Sequence, residues 1–139
     1  MSCVIGRENS GVQLLLDTHA LLWWVLDTPD LSKKARQAIA ALDNEIFVSA
    51  ATAWEIATKS RLGRLPEAES FVRSLRPSLR KLGFAELPIS VEHARLAGLL
   101  PGEHKDPFDR MLIAQAQIEA LALVSNEHLF DSYNVHRVW

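Results

Sequence analysis

Short apolar runs alternate along this chain with longer stretches in which apolar residues return every third or fourth position. The short runs, at residues 12–16, 46–48, 84–89, 121–124 and 135–138, are bounded by turn residues or acids and predict five strands. After the first comes a helical stripe of Leu21, Leu22, Val25 and Leu26, broken at Thr28-Pro29-Asp30. Ser32 predicts the N-cap of a second helix carrying Ala35, Ile39 and Leu42, with Asp43-Asn44 as the turn beyond it. Residues 51–61 predict a helix ending near Gly63. Pro66 opens the next at its favoured first-turn position, with Phe71, Val72, Leu75, Leu79 and Leu82 as the buried face and Gly83 as the stop. Pro77 within that span implies a kink or a division into two helices, and Pro88 assigns the third strand to a sheet edge. Ser90 caps a helix that stops at Pro101-Gly102. Asp106-Pro107 starts another, running through Met111, Leu112, Ala116 and Ala120.

Strands that alternate with helices imply a parallel sheet covered on both faces and joined by right-handed crossovers. Such sheets bind ligands beyond the carboxyl ends of their strands, at a topological switch point. Asp17, Ser49 and Ser125 fall at three of those ends.

Composition narrows the class. The 139 residues are enough for one domain with its own core, and 48% hydrophobic with 23% charged residues is the balance of a globular protein. No apolar stretch approaches the ~20 residues that span a bilayer. Residues 1–13 form a polar extension without the apolar centre of a signal peptide, ahead of a domain at 14–139. The single cysteine, Cys3, excludes an intrachain disulfide, and the expectation is a soluble protein of the reducing cytoplasm. A net charge of −2 does not advertise a nucleic-acid binder. Basic residues do cluster at Lys33, Lys34 and Arg36, at Lys59, Arg61 and Arg64, and at Arg73, Arg76, Arg80 and Lys81. Each cluster taken singly is a solvated helix face. Only the middle one follows an acid segment closely enough to suggest a phosphate-binding rim.

Acids stand where the strands end. They occur in Leu14-Leu15-Leu16-Asp17-Thr18-His19, Ser49-Ala50-Ala51-Thr52-Ala53-Trp54-Glu55, Asp106-Pro107-Phe108-Asp109-Arg110 and Val124-Ser125-Asn126-Glu127. If the strands are parallel, these segments meet at one edge, where each close pair of like charges costs about 4 kcal/mol at an intermediate dielectric. A divalent cation makes such a cluster tolerable, and a metal in a carboxylate cup points to phosphodiester chemistry. Each acid also has a structural alternative. Asp17 could cap a helix, as could Thr18. Glu55 completes a Thr52-x-x-Glu55 capping box and stands four residues before Lys59. Asp106 before Pro107 makes a good N-cap, which leaves Asp109, three positions on, freer for a metal. Glu127 could be an exposed loop acid.

Other chemistry finds little support. His19, His93, His104, His128 and His136 lack zinc-site spacing, and Cys3 cannot complete such a site. The chain has no Walker loop, no Gly-x-Gly-x-x-Gly and no Gly-x-Ser-x-Gly, which argues against nucleotide cofactors and serine catalysis.

The stretches Leu15-Leu16-Asp17-Thr18-His19-Ala20-Leu21-Leu22-Trp23-Trp24, Ser49-Ala50-Ala51-Thr52-Ala53-Trp54-Glu55-Ile56, Lys59-Ser60-Arg61-Leu62-Gly63, His104-Lys105-Asp106-Pro107-Phe108-Asp109-Arg110-Met111-Leu112-Ile113-Ala114-Gln115-Ala116 and Leu123-Val124-Ser125-Asn126-Glu127 stand in the order and spacing of PIN-domain proteins. The chain resembles in particular the VapC-type toxins of type II toxin–antitoxin systems, from Leu14 to its end. The resemblance implies a three-layer α/β/α Rossmann-like PIN domain with a parallel sheet of about five strands. It also implies an endoribonuclease site dependent on Mg²⁺ or Mn²⁺. By matching position, the catalytic acids would be Asp17, Glu55, Asp109 and Glu127. Asp17, Asp109 and Glu55, with Asp106, would supply the metal ligands. Ser49 and Ser125 would orient ligands or water, and Lys59 and Arg61 would meet the RNA backbone. In place of the family's usual Thr-x-Asp the chain has Ser125-x-Glu127, which puts a second metal position in doubt. Glu55 could alternatively serve as general base.

Two other readings remain: a PIN-fold binding module without catalysis, favoured only by Ser-x-Glu, and a PIN nuclease acting on DNA or other structured nucleic acid. The toxin reading implies a cognate antitoxin. Adjacent Trp23 and Trp24 cannot both turn inward from one helix, so one of them is expected at an interface, with a homodimer as the working arrangement.

Overall fold

In the computed structural model, which describes residues 11–139, the chain runs β1 (Gln13–Leu16), α1 (Thr18–Val25), α2 (Lys33–Ala40), β2 (Glu45–Ser49), α3 (Ala50–Arg61), α4 (Glu69–Arg73), α5 (Leu75–Leu82), β3 (Ala85–Leu87), α6 (Val91–Leu99), α7 (Pro107–Glu119), β4 (Ala122–Val124) and β5 (Arg137–Val138). Short 3₁₀ turns fill Pro66–Ala68 and His128–Tyr133. Most of the expected N-terminal extension, with Cys3, lies outside the described residues. All strand pairs are parallel, in the order β3-β2-β1-β4-β5. With helices on both faces, this is the three-layer α/β/α sandwich.

Both faces of β1 are apolar because helices cover both. Leu14 and Leu16 enter one core layer with Ile46, Val48, Ala20, Leu21 and Ile39, and Leu15 enters the other with Leu112, Ile113, Ala116 and Leu123. The chain leaves β1 toward β2 and β3, then returns to the opposite side of β1 as β4. The switch point therefore lies between β1 and β4, where Leu16 is in register with Val124 and the Asp17 N–H donates to the Val124 carbonyl at 3.1 Å.

Local predictions hold with instructive exceptions. Pro66 opens a 3₁₀ turn rather than an α-helix. The division expected from Pro77 falls at Ser74, three residues earlier, which leaves Pro77 in the first turn of α5. A proline there forfeits no helical hydrogen bond. Strand three is an edge strand as Pro88 suggested, but spans only residues 85–87. Trp23 and Trp24 both pack on the core: Trp23 against Trp139 and His19, Trp24 against Phe84. Both nevertheless stay only partly buried. Trp54 is the exposed one, with 65% of its surface in solvent.

Arg110 organises the segment between α6 and α7. Its guanidinium donates to the carbonyls of Ala97, His104 and Leu100. Gly102, at φ +95°, lets that segment lie against Tyr133, since a Cβ there would fall 2.7 Å from the Tyr133 hydroxyl. Ala120 ends α7 in the left-handed conformation at φ 56°, where an L side chain is strained.

These two positions give opposite expectations in urea unfolding. Ala120→Gly should stabilise the chain by about 0.5–1 kcal/mol. Gly102→Ala should destabilise it by about 1–3 kcal/mol, and Tyr133→Phe in the same chain should restore only the part due to the clash.

Candidate active site

Asp17 follows the last residue of β1 and is buried to 4% exposure. Its Oδ1 caps α1 by accepting the Ala20 N–H at 2.8 Å, so the capping alternative is realised by Asp17 and not by Thr18. Capping uses one lobe of one oxygen and leaves the rest of the carboxylate toward the sheet edge. On the neighbouring strand, fully buried Ser125 accepts the Glu127 N–H at 3.0 Å and hydrogen-bonds to Asp17. Burial raises the pKa of Asp17 against the hydrogen bonds from Ser125 and Ala20, and the nearby charge of Glu127 raises it further.

Asp109 stands in the first turn of α7. Desolvation pushes its pKa up to about 6, opposed by a hydrogen bond from His104 and assisted by the charges of Asp106 and Asp17. His104 Nε2 lies 2.9 Å from Asp109 Oδ2, on the segment that Arg110 holds. Asp106 is exposed and its Oδ1 caps α7, accepting from the N–H groups of Phe108 and Asp109.

Glu55 enters from α3. Its Oε1 accepts the Thr18 hydroxyl at 2.6 Å, and its Oε2 lies 2.8 Å from Lys59 Nζ. The capping box proposed for Thr52 and Glu55 does not form. The helix starts three residues earlier, because the buried Ser49 hydroxyl accepts the Ala51 N–H at 2.9 Å and becomes the N-cap. Thr52 is buried within the helix, its hydroxyl 3.4 Å from that of Thr18. Ser49 is accordingly a structural cap, and Lys59 is engaged with Glu55. Arg61 is exposed at the end of α3, and Glu127 is exposed just beyond β4.

The fold thus brings Asp17, Asp109 and Glu127 within mutual electrostatic reach, and links Glu55 to them through Thr18. Among the described residues, no three acid, histidine or cysteine side chains stand close enough together to ligate one ion as they are. The donor chemistry nevertheless fits a hard divalent cation. It consists of carboxylate oxygens, of which those of Asp17 and Asp109 are held above the usual carboxylate range chiefly by burial, and among the described residues Asp17 makes no salt bridge. Sequence reasoning missed His104, Thr18 and Arg110. His104 precedes Asp109 by five positions across a helix start, a spacing that carries no signal. Thr18 was weighed only as a cap.

The architecture and its acidic switch point define an α/β/α domain with a carboxylate site at one sheet edge. The PIN domain family model matches residues 14–135, and the chain belongs to that family. It is 38% identical over 68 residues to ribonuclease VapC16 of Mycobacterium tuberculosis, a match covering 49% of this chain and 47% of that protein. To ribonuclease VapC22 of the same organism it is 30% identical over 132 residues, covering 91% and 98%. The fold is shared with the VapBC2 structure from Rickettsia felis bound to a DNA fragment from their promoter, at TM-score 0.63, 17% identity and coverage of 91% and 97%.

A raised carboxyl pKa means that the folded chain binds the proton more tightly than the unfolded one, so these groups favour folding at low pH and cease to as pH rises through the folded value. In metal-free buffer the Tm should therefore rise as pH falls from 7 toward 4.5. Asp109→Asn should raise the Tm at pH 7 by a few degrees and flatten that dependence. Differential scanning calorimetry across pH checks both, and a Tm that falls steadily below pH 7 would contradict the assignment.

Proposed function

We propose that this chain is a metal-dependent endoribonuclease, acting as the toxin of a toxin–antitoxin pair in the cytoplasm. The observation that carries this is the convergence of Asp17 and Asp109 on the β1/β4 switch point, where burial destabilises both ionised acids, with Glu127 near enough to act on Asp17. The two ribonucleases to which the chain is similar support it, one of them across nearly the whole length.

In this reading Asp17 and Asp109 hold Mg²⁺ or Mn²⁺, with Glu127 and Glu55 at its periphery and Asp106 serving as a cap. The ion, when bound, supplies a Lewis acid against the phosphoryl oxygens. Ser125 orients the Asp17 carboxylate. His104 fixes the Asp109 carboxylate from the opposite side. Glu55, held between Thr18 and Lys59, would alternatively take the proton of an attacking water. Arg61 meets the sugar–phosphate backbone, a contact that gives affinity without sequence choice. Lys59 could do so only by giving up Glu55.

The cognate partner is an antitoxin that silences the site, and the active form is a homodimer. Apolar side chains left in solvent on α6, Val91 at 86% and Leu99 at 65% exposure, support self-association. No described helix is long and apolar enough to cross a membrane.

Incubation with a structured RNA pool tests the reading. Cleavage should require Mg²⁺ or Mn²⁺ and fall by at least about 100-fold in Asp17→Ala, the scale of losing metal-assisted charge stabilisation. Absence of both cleavage and calorimetric metal binding would overturn it. Sedimentation as a monomer at tens of micromolar would remove the homodimer alone.

A further inference from the structure

Among the exposed large hydrophobic side chains of the described residues, Trp54 is the one aromatic. It immediately precedes Glu55 on α3, and its indole meets the ring of Phe108 edge to face, with centroids 5.1 Å apart at 82°. Phe108 in turn immediately precedes Asp109 on α7. The ring pair therefore joins the two helices that carry acids. It fixes the indole at the margin of the acid cluster while leaving most of its surface to solvent.

The surroundings point to one kind of occupant. Arg61 and Lys105, on the two segments that bear these rings, are exposed and make no ion pair among the described residues. A docking helix would need an apolar stripe. On α3 the positions one turn beyond Trp54 are the small Ala57 and polar Thr58, and two turns beyond are Arg61 and the half-exposed Leu62 at the helix end, so a charged and a polar residue interrupt that face. An open aromatic face on segments that also carry exposed cations is how proteins hold unpaired bases of single-stranded nucleic acid, the ring taking the base and the cations the phosphates.

We propose that the Trp54 indole, braced by Phe108, is the platform on which one unpaired RNA base stacks next to the phosphodiester to be cut. The inference rests on the ribonuclease reading and adds to it a positioning residue that selects flexible, single-stranded target sites.

The test uses the full chain in its Asp17→Asn form, without divalent metal, and short single-stranded oligoribonucleotides carrying 2-aminopurine at successive positions. One register should show quenched fluorescence on binding. The quenching should persist in Trp54→Phe and be lost in Trp54→Ala, whose Tm should fall by no more than a few degrees, the cost of the edge contact with Phe108. With an otherwise wild-type chain and metal, Trp54→Ala should raise KM for single-stranded RNA about tenfold, the size of one lost stacked base, and leave kcat nearly unchanged. Unchanged quenching and KM in Trp54→Ala, with the parent chain cleaving RNA, would overturn the inference and leave the ribonuclease reading intact. So would loss of antitoxin binding or of the dimer with stacking retained, which would make Trp54 a protein contact. A parent chain that shows no metal-dependent cleavage sensitive to Asp17→Ala would be a failure of the ribonuclease reading itself.

Discussion

Burial of the Asp17 carboxylate is the constraint to which the rest of the site answers. An acid at 4% exposure is unfavourable, and the fold offsets this only in part, through the Ala20 N–H, Ser125 and the nearby His19. The position is nevertheless forced. Leu14, Leu15 and Leu16 belong to two core layers at once, so β1 is the central strand, and the residue after Leu16 must emerge at the covered middle of the sheet edge. Any side chain there is desolvated. Placing a carboxylate there sacrifices stability in the chain by itself.

The neighbouring groups divide according to whether they have a counter-charge. Glu55 has Lys59, so α3 can be assembled without metal. Asp106 has two backbone N–H groups at the start of α7. Asp109 has only a histidine, and its pKa is pushed to about 6. Acids satisfied by the protein itself hold the scaffold together. Asp17 and Asp109 are the two left in deficit.

Much of this was legible in the chain because two periodicities did not compete. Short apolar runs mark β1 and β2, and helical stripes mark α1, α2 and α7, which places the acids at strand ends from the sequence alone. The places where expectation and structure part are those where a tertiary contact outranks a local one. Ser49 starts α3 before Thr52 can, since it already emerges from β2 with its hydroxyl over the first N–H groups. Trp23 and Trp24 both find apolar neighbours because the chain end returns Trp139 to α1 and Phe84 comes up beside it. His104 reaches Asp109 only through the path that Arg110 imposes on the preceding loop, a path with no period to detect.

The exposed Trp54 fits the same logic of deficit. Protein interiors and interfaces absorb large aromatics wherever they can, and this chain does so with Trp23, Trp24 and Trp139 on one side of β1. Trp54 is held by a single edge-on ring on the helix that carries Glu55, and so is left unsatisfied in apolar surface as Asp17 and Asp109 are left unsatisfied in charge. A ligand that carries both a flat apolar ring and a phosphate bridged by metal would relieve both deficits in one binding event. A nucleotide within a flexible strand has that combination, whereas a paired duplex hides its rings. The same surface that tolerates an unburied indole would therefore turn away stacked, double-stranded targets.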